Sequence, residues 1–244
     1  MRKFGLIGYP LAHSFSGKYF REKFQRESII DCTYSNYEIP SISALSDILK
    51  DQELNGLNVT IPYKESVIPF LHKKDPVVEE IAACNCIKIL KQELTGYNTD
   101  VIGFEISLKE KLTVMDMRAL ILGTGGSSKA VAWVLKRTGI EYLFVSRNKS
   151  HHYDRTTYED LNREILETHT LIINCTPLGM EPNTGVCPPL PYQWIGREHY
   201  LYDLVYNPAK TLFLEKGKMT GARIKNGADM LAIQAEASWV IWNA

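Results

Sequence analysis

The stretch ALILGTGGSSKAVAWVL, residues 119–135, joins an apolar β-rich run to an amphipathic helical run through Gly123, Gly125 and Gly126. Residues without a Cβ at such a join let the backbone approach a pyrophosphate at the helix N-terminus. A strand that turns through glycines into a helix opens a βαβ unit, so the segment predicts a parallel sheet of the dinucleotide-binding, Rossmann type. Glycines also suit any tight βα turn, and Ser128 stands where a third glycine or alanine is usual. The next strand ends in FVSRNKS, about twenty residues on, where an NAD-binding chain places an acid for the ribose 2′-hydroxyl. Here the residues are Ser146, Arg147, Asn148 and Lys149. A guanidinium and an ammonium suit a 2′-phosphate, which arginine grips with two hydrogen bonds, so NADP is expected rather than NAD. The bland alternative is an exposed basic turn.

Outward from the turn, β-rich and amphipathic runs alternate in both directions. Toward the C-terminus come a helix over 126–137, the strand EYLFVS, a helix over 158–166, the strands TLIINC and YLYDLVY, a helix from 209, the strand ARIKN and a terminal helix from 228. Toward the N-terminus lie the strand KFGLIG, a helix over 15–27, CTYSNYEI, a helix from 41 and GLNVTI. CNCIKIL and KQELTGYNTD read as a hairpin returning into a polar loop, followed by a helix over 100–111. The Pro- and Gly-rich loop 176–194 reads as a functional or mobile loop, and no solenoid-period repeat is present.

The 244 residues are 45% hydrophobic and 23% charged, enough for one large or two modest domains. Lys plus Arg and Asp plus Glu are equal at 28 each, so no net field exists to attract nucleic acid or an anionic membrane. The apolar run near the N-terminus is broken by Pro10 and His13 before a signal-peptide core is complete, and no run approaches a membrane span. Cys32, Cys84, Cys86, Cys175 and Cys187 show no paired C-x-x-C spacing, so no metal site is expected and the thiols read as reduced, in a cytoplasmic protein.

NGLNVTIPYKES, residues 55–66, places Lys64 directly after a stretch that reads as a buried strand. An exposed helix start after Pro62 would be the ordinary explanation, since lysines are mostly exposed. Other polar residues fall at comparable strand or hairpin ends: Ser14 and Ser16, Asn58 and Thr60, Asn85, and Asp100. Ligands of open parallel sheets bind beyond the carboxyl ends of strands, so these groups are expected to converge on one polyhydroxylated small molecule. Taken singly, Ser14 reads as an N-cap and Asn85 and Thr60 as turn or edge residues.

Taken together, these motifs resemble those of shikimate dehydrogenases, the NADP-dependent enzymes that reduce 3-dehydroshikimate in aromatic amino-acid biosynthesis, and the resemblance runs nearly end to end. The family's substrate serines fall on Ser14 and Ser16, its NVT-P-K stretch on Asn58, Thr60 and Lys64, its asparagine on Asn85 and its N-T-D on residues 98–100. Its glycine turn falls on GTGGSSKA, which includes Thr124 and Ser127. Its N-x-TP-x-GM element falls on 174–180, YD-x-x-Y on 202–206 and G-x-x-ML-x-x-QA on 227–235. The resemblance implies a proton-transfer pair at Lys64 and Asp100, with Tyr206 and Gln234 joining the serines, Asn58, Thr60 and Asn85 around the substrate. Arg147, Asn148, Leu204 and Gly227 would lie along the cofactor.

It further implies an α/β fold of two domains with a cleft between them. The substrate domain would be 1–100 plus 227–244, on a mainly parallel sheet, and the Rossmann domain 101–226. Opening and closing would occur about the crossings near Asp100 and Asn226. Three positions depart from the pattern: Gly17 for a proline, Cys86 for a threonine and Asp229 for a frequent glycine. The nearest alternative is a quinate/shikimate enzyme using NAD, disfavoured by the lack of an acid after YLFV, and one of another class is an inactive NADP-binding sensor. Monomer and homodimer both stay open. His13 reads as structural, and His151 and His152 as a solvated turn.

Overall fold

The computed structural model describes residues 1–12, 14–149 and 154–244, so His13, His151 and His152 lie outside the described residues. In chain order the first elements are β1 (Arg2–Gly8), α1 (Phe15–Arg26), β2 (Cys32–Glu38), α2 (Leu45–Ile48), β3 (Leu54–Val59), β4 (Lys73–Lys74), α3 (Pro76–Ile81), β5 (Cys86–Leu90), β6 (Glu93–Tyr97) and α4 (Asp100–Lys109). There follow β7 (Arg118–Leu122), α5 (Gly126–Arg137), β8 (Glu141–Ser146), β9 (Arg155–Thr157), α6 (Arg163–Thr168), β10 (Leu171–Asn174), β11 (Tyr200–Asp203), α7 (Leu212–Met219), β12 (Arg223–Asn226) and α8 (Ala228–Asn243). Contacts divide the chain into two compact units, Met1–Gly103 with Leu231–Ala244, and Phe104–Met230. Among the described residues no helix is long and apolar enough to cross a membrane.

The first unit is built on a six-stranded sheet of order β2-β1-β3-β5-β6-β4. β1 pairs in parallel with β2 and β3, whereas β3–β5 and β5–β6 are antiparallel. The β5–β6 hairpin turns at Lys91 and Gln92, both at positive φ (50° and 67°), the backbone hand that matches the twist of the flanking strands. β1 is buried along its last five residues instead of alternately, as expected where both sheet faces are covered. One face carries Ile7, Leu57, Val59 and Ile87 against Leu45, Val67 and Val78. The other meets α1 and the end of α8, where Phe4 stacks on Trp242 (centroids 4.8 Å apart) and Phe20 on Tyr34 (4.5 Å).

Trp242 is what fixes α8 to this sheet. Its Nε1 donates to Ile87 O at 3.0 Å, and the ring passes over Gly56, where an added Cβ would lie 2.4 Å from Nε1. Trp242→Ala is therefore expected to cost about 3–5 kcal/mol, read as a lower urea midpoint with an unchanged slope.

The second unit carries six parallel strands in the order β12-β11-β10-β7-β8-β9. The direction of winding reverses between β7 and β10, and in such sheets ligands bind at that switch point, outside the carboxyl ends of the strands. The glycine turn of residues 123–126 follows β7 there.

Several helix limits differ from those expected. The helix expected over 158–166 is α6, because Asn162 caps it by accepting from Ile165 N (3.0 Å) while Thr157 and Asp160 close a separate turn. The helix expected from 209 begins at Leu212, where Thr211 accepts from Leu214 N. Ser41 opens only a 3-10 turn (Ile42–Ala44) before the single turn of α2. α3, β4 and β9 are additions to the expected elements, and α4 stops at Lys109.

Candidate active site

Lys64 follows β3 on a turn that is held from both sides. Tyr63 OH donates to Ile39 O (2.6 Å) and the Cys84 N–H donates to Lys64 O (2.7 Å). From that turn Lys64 Nζ donates to Asp100 Oδ2 at 2.6 Å, with side chains 14% and 7% exposed. Asp100 is the first residue of α4, where the helix N–H dipoles favour a carboxylate. Its other oxygen, Oδ1, accepts from Asn85 Nδ2 at 2.8 Å. The cation, the amide and the helix terminus all act on one buried carboxylate.

Asn85 extends the cluster. Its Nδ2 also lies 3.0 Å from Thr99 Oγ1 and 3.3 Å from Gln234 Oε1, and its Oδ1 accepts from Thr99 N at 2.6 Å. Thr99 Oγ1 shares a hydrogen bond with Ser238 Oγ (3.1 Å), and Ser238 accepts from Asn58 Nδ2 (2.9 Å). Tyr34 OH donates to Asn58 Oδ1 at 2.9 Å. Five of the expected residues, Lys64, Asp100, Asn85, Gln234 and Asn58, thus belong to one hydrogen-bonded network. Thr99 and Ser238, both fully buried, complete it although they were not among the expected site residues. A signal for Ser238 was present, since it lies four residues after Gln234 and so on the same helix face.

The remaining expected residues of this unit are less closely joined. Thr60 is half-buried, its methyl group packed where Gly8 has no Cβ. Ser16 is buried, and Ser14 Oγ accepts from Asn36 Nδ2 at 2.9 Å instead of capping α1. Tyr206 belongs to the second unit and is half-buried. Burial pushes the Cys84 thiol up to about 12 and raises Cys86 as well, so both thiols beside Asn85 stay protonated and poor as nucleophiles.

In the second unit the expected cofactor residues form a continuous rim at the strand ends. Gly123 has φ +102°, a conformation that L side chains rarely adopt, and donates its N–H to Val145 O (2.9 Å). Gly125 is the N-cap of α5, with open space where a Cβ would be, and no acid occupies the first turn. Such open backbone at a helix start is the cradle an anionic phosphate requires. Ser128 fills the third glycine position because it is fully buried and donates to Gly125 O at 2.6 Å. Thr124 is exposed and Ser127 half-buried on the same turn. Ser146 Oγ donates to Asn148 O (2.6 Å), turning Arg147, Asn148 and Lys149 out to solvent beside the glycines. A Cβ on Gly123 would meet Thr176, Leu204 N donates to Asn174 O (3.0 Å), and Gly227 packs so tightly that a Cβ would lie 2.5 Å from Leu204 O. These residues fit a dinucleotide phosphate and present basic groups with no acid among 146–149.

Behind this rim stands Asp203, fully buried. It accepts from Asn174 Nδ2 (2.9 Å), Val205 N (3.0 Å) and Thr211 Oγ1 (2.5 Å), tying together the segments after β10 and β11 and the cap of α7. Burial pushes its carboxyl up to about 6, against those hydrogen bonds, which favour the charge. The folded chain therefore holds this proton more tightly than the unfolded chain. The contribution of Asp203 to stability therefore falls as pH rises from about 4 through about 6 and then levels, by on the order of 3 kcal/mol. Asp203→Asn is expected to remove that contribution, so the urea midpoint lost on substitution should be larger at about pH 4 than at about pH 7.5. Asp229, a departure from the family pattern, accepts from Ser107 (2.7 Å) and pairs with Lys225 (2.7 Å).

The comparisons agree in one direction. Residues 6–87 match the family model described as the shikimate dehydrogenase substrate binding domain. A protein of Caldicellulosiruptor saccharolyticus named shikimate dehydrogenase (NADP(+)) is 35% identical over 261 residues, spanning 99% of this chain and 92% of that protein. The crystal structure of shikimate dehydrogenase 1 from Peptoclostridium difficile superposes with a TM-score of 0.88 at 36% identity, covering 100% of this chain and 92% of the other. The Thermus thermophilus shikimate 5-dehydrogenase, solved in complex with NADP(H) and shikimate, gives 0.87 at 29% identity over 99% of this chain and 93% of the other.

Proposed function

We infer what this chain does from one premise: it belongs to the shikimate dehydrogenase family. It is an NADP-dependent oxidoreductase that reversibly reduces 3-dehydroshikimate to shikimate, on the route to chorismate and the aromatic amino acids. The observation that carries the assignment to this chain's own residues is the 2.6 Å bond between Lys64 and Asp100, two groups from separate segments meeting in one buried network.

NADPH, when bound, supplies the hydride to the carbonyl carbon. The chain's residues manage the oxygen. Lys64, hydrogen-bonded to Asp100, stabilises the negative charge that develops there and delivers one proton to it. The overall balance is one hydride and one proton added across the carbonyl bond, and oxidation of shikimate reverses both. Asn85 and Gln234 fix the Asp100 side of the pair, while Ser14, Ser16, Asn58, Thr60 and Tyr206 hold the substrate. The first unit, Met1–Gly103 with Leu231–Ala244, serves as the substrate domain, and Phe104–Met230 carries the cofactor. There, Gly123 to Ser127 would cradle the pyrophosphate, Ser146, Arg147 and Asn148 would take the 2′-phosphate, and Leu204 and Gly227 would lie along the cofactor.

A cytoplasmic location suits cysteines kept as reduced thiols, and the chain works as a monomer or homodimer, which light scattering distinguishes. Purified protein mixed with shikimate and either NADP+ or NAD+ is expected to form reduced cofactor preferentially with NADP+. Equal or faster turnover with NAD+ would support the quinate/shikimate alternative, and no turnover with either would support a sensor.

A further inference from the structure

Gly17 stands where the family pattern has proline, and the structure gives that departure a partner. A Cβ at position 17 would lie 2.7 Å from Asn36 Oδ1 and 3.3 Å from its Cγ and Nδ2. The Asn36 amide therefore lies against the first turn of α1 in a position from which a Cβ at residue 17 would displace it. From there its Nδ2 donates to Ser14 Oγ at 2.9 Å. Ser14 is the N-cap residue of α1, yet its side chain makes no cap hydrogen bond.

A hydroxyl has one hydrogen and two lone pairs. Once an amide N–H occupies a lone pair, the hydroxyl's own hydrogen remains to be donated, and the accepted bond polarises it further. α1 has no acid in its first turn, so an anion beside Ser14 would meet helix N–H dipoles without a competing carboxylate. Glu38, on the strand that carries Asn36, has Oε2 engaged by the Leu11 N–H at 3.0 Å. Shikimate and 3-dehydroshikimate each carry a single anionic group, a carboxylate.

We propose that Asn36, accommodated by Gly17, is a positioning residue that sets Ser14 as a hydrogen-bond donor to the substrate carboxylate and so selects anionic over neutral substrates. This rests on the function proposed above. An aspartate at 36 would accept the Ser14 hydrogen and add a like charge, whereas alanine would only release the hydroxyl.

The test compares initial rates with shikimate and with shikimate methyl ester, at saturating NADP+, for wild type, Asn36→Asp, Asn36→Ala, Gly17→Ala and the Asn36→Ala/Gly17→Ala double variant. Asn36→Asp is expected to raise KM for shikimate at least about tenfold with kcat within about threefold, and to change kcat/KM for the ester by less than about threefold. Gly17→Ala should raise KM for shikimate when Asn36 is present and add nothing when Asn36 is alanine, because the clash partner is gone. An active wild type with an unmoved KM in Asn36→Asp, equal penalties for acid and ester, or additive effects of the two alanines would each overturn the role of Asn36 alone. A wild type that oxidises no shikimate would overturn the proposed function itself.

Discussion

Lys64→Ala is expected to lower kcat for shikimate oxidation by about a thousandfold while leaving KM for shikimate and for NADP+ within about threefold. The asymmetry follows from what the ammonium does. In the proposed mechanism it contributes most when charge sits on the reacting oxygen, whereas the ground-state substrate would be held by several hydroxyls and amides that the substitution leaves in place. A uniform binding role would instead raise KM and spare kcat. The variant also leaves Asp100 buried without its cation, beside Asn85 and at the start of α4. Removing one partner of a buried ion pair costs about 3–5 kcal/mol, so the urea midpoint should fall in parallel. Rates must be taken well below the variant's unfolding transition, and circular dichroism checks that they are.

Arg147→Asp is expected to lower kcat/KM with NADP+ about a hundredfold, roughly 2.7 kcal/mol of lost charge-assisted bonding and added repulsion, while changing the value with NAD+ by less than about threefold. Arg147 is exposed on the turn after β8, beside the glycines, so its replacement leaves no buried group unpaired. The penalty should therefore track the 2′-phosphate alone. Loss of both activities to the same extent would mean that Arg147 supports the fold of the turn and does not recognise phosphate.

Much of this molecule was legible in its sequence because the signals were local. The glycine turn, the apolar runs of β7, β10 and β11 and the hairpin of β5 and β6 follow from period and turn chemistry over a few residues. The starts of α6 and α7 were misplaced because Asn162 and Thr211 cap them by side-chain bonds that outrank the helical pattern upstream. α3 carried its own signal, Asp75 as N-cap with Pro76 in the first turn, but is only six residues long. Within the site, Lys64, Asp100, Asn85 and Gln234 stood out by motif. Those four join directly, whereas Asn58 is tied to them through Ser238 and Thr99, neutral hydroxyls whose importance comes from burial among partners distant in sequence. Asn36 was silent for the same reason, since its meaning arises from a glycine nineteen residues earlier that the fold sets against its amide.

The central claim is that one amine and one carboxylate share a pocket with the oxygen that is oxidised. A crystal structure of this protein with shikimate and NADP+ bound tests it most directly. Lys64 Nζ is expected within about 2.6–3.2 Å of the hydroxyl oxygen on the carbon that loses hydride, with Asp100 hydrogen-bonded to the same lysine or the same oxygen. Shikimate bound with that hydroxyl out of reach of both Lys64 and Asp100 would contradict the claim.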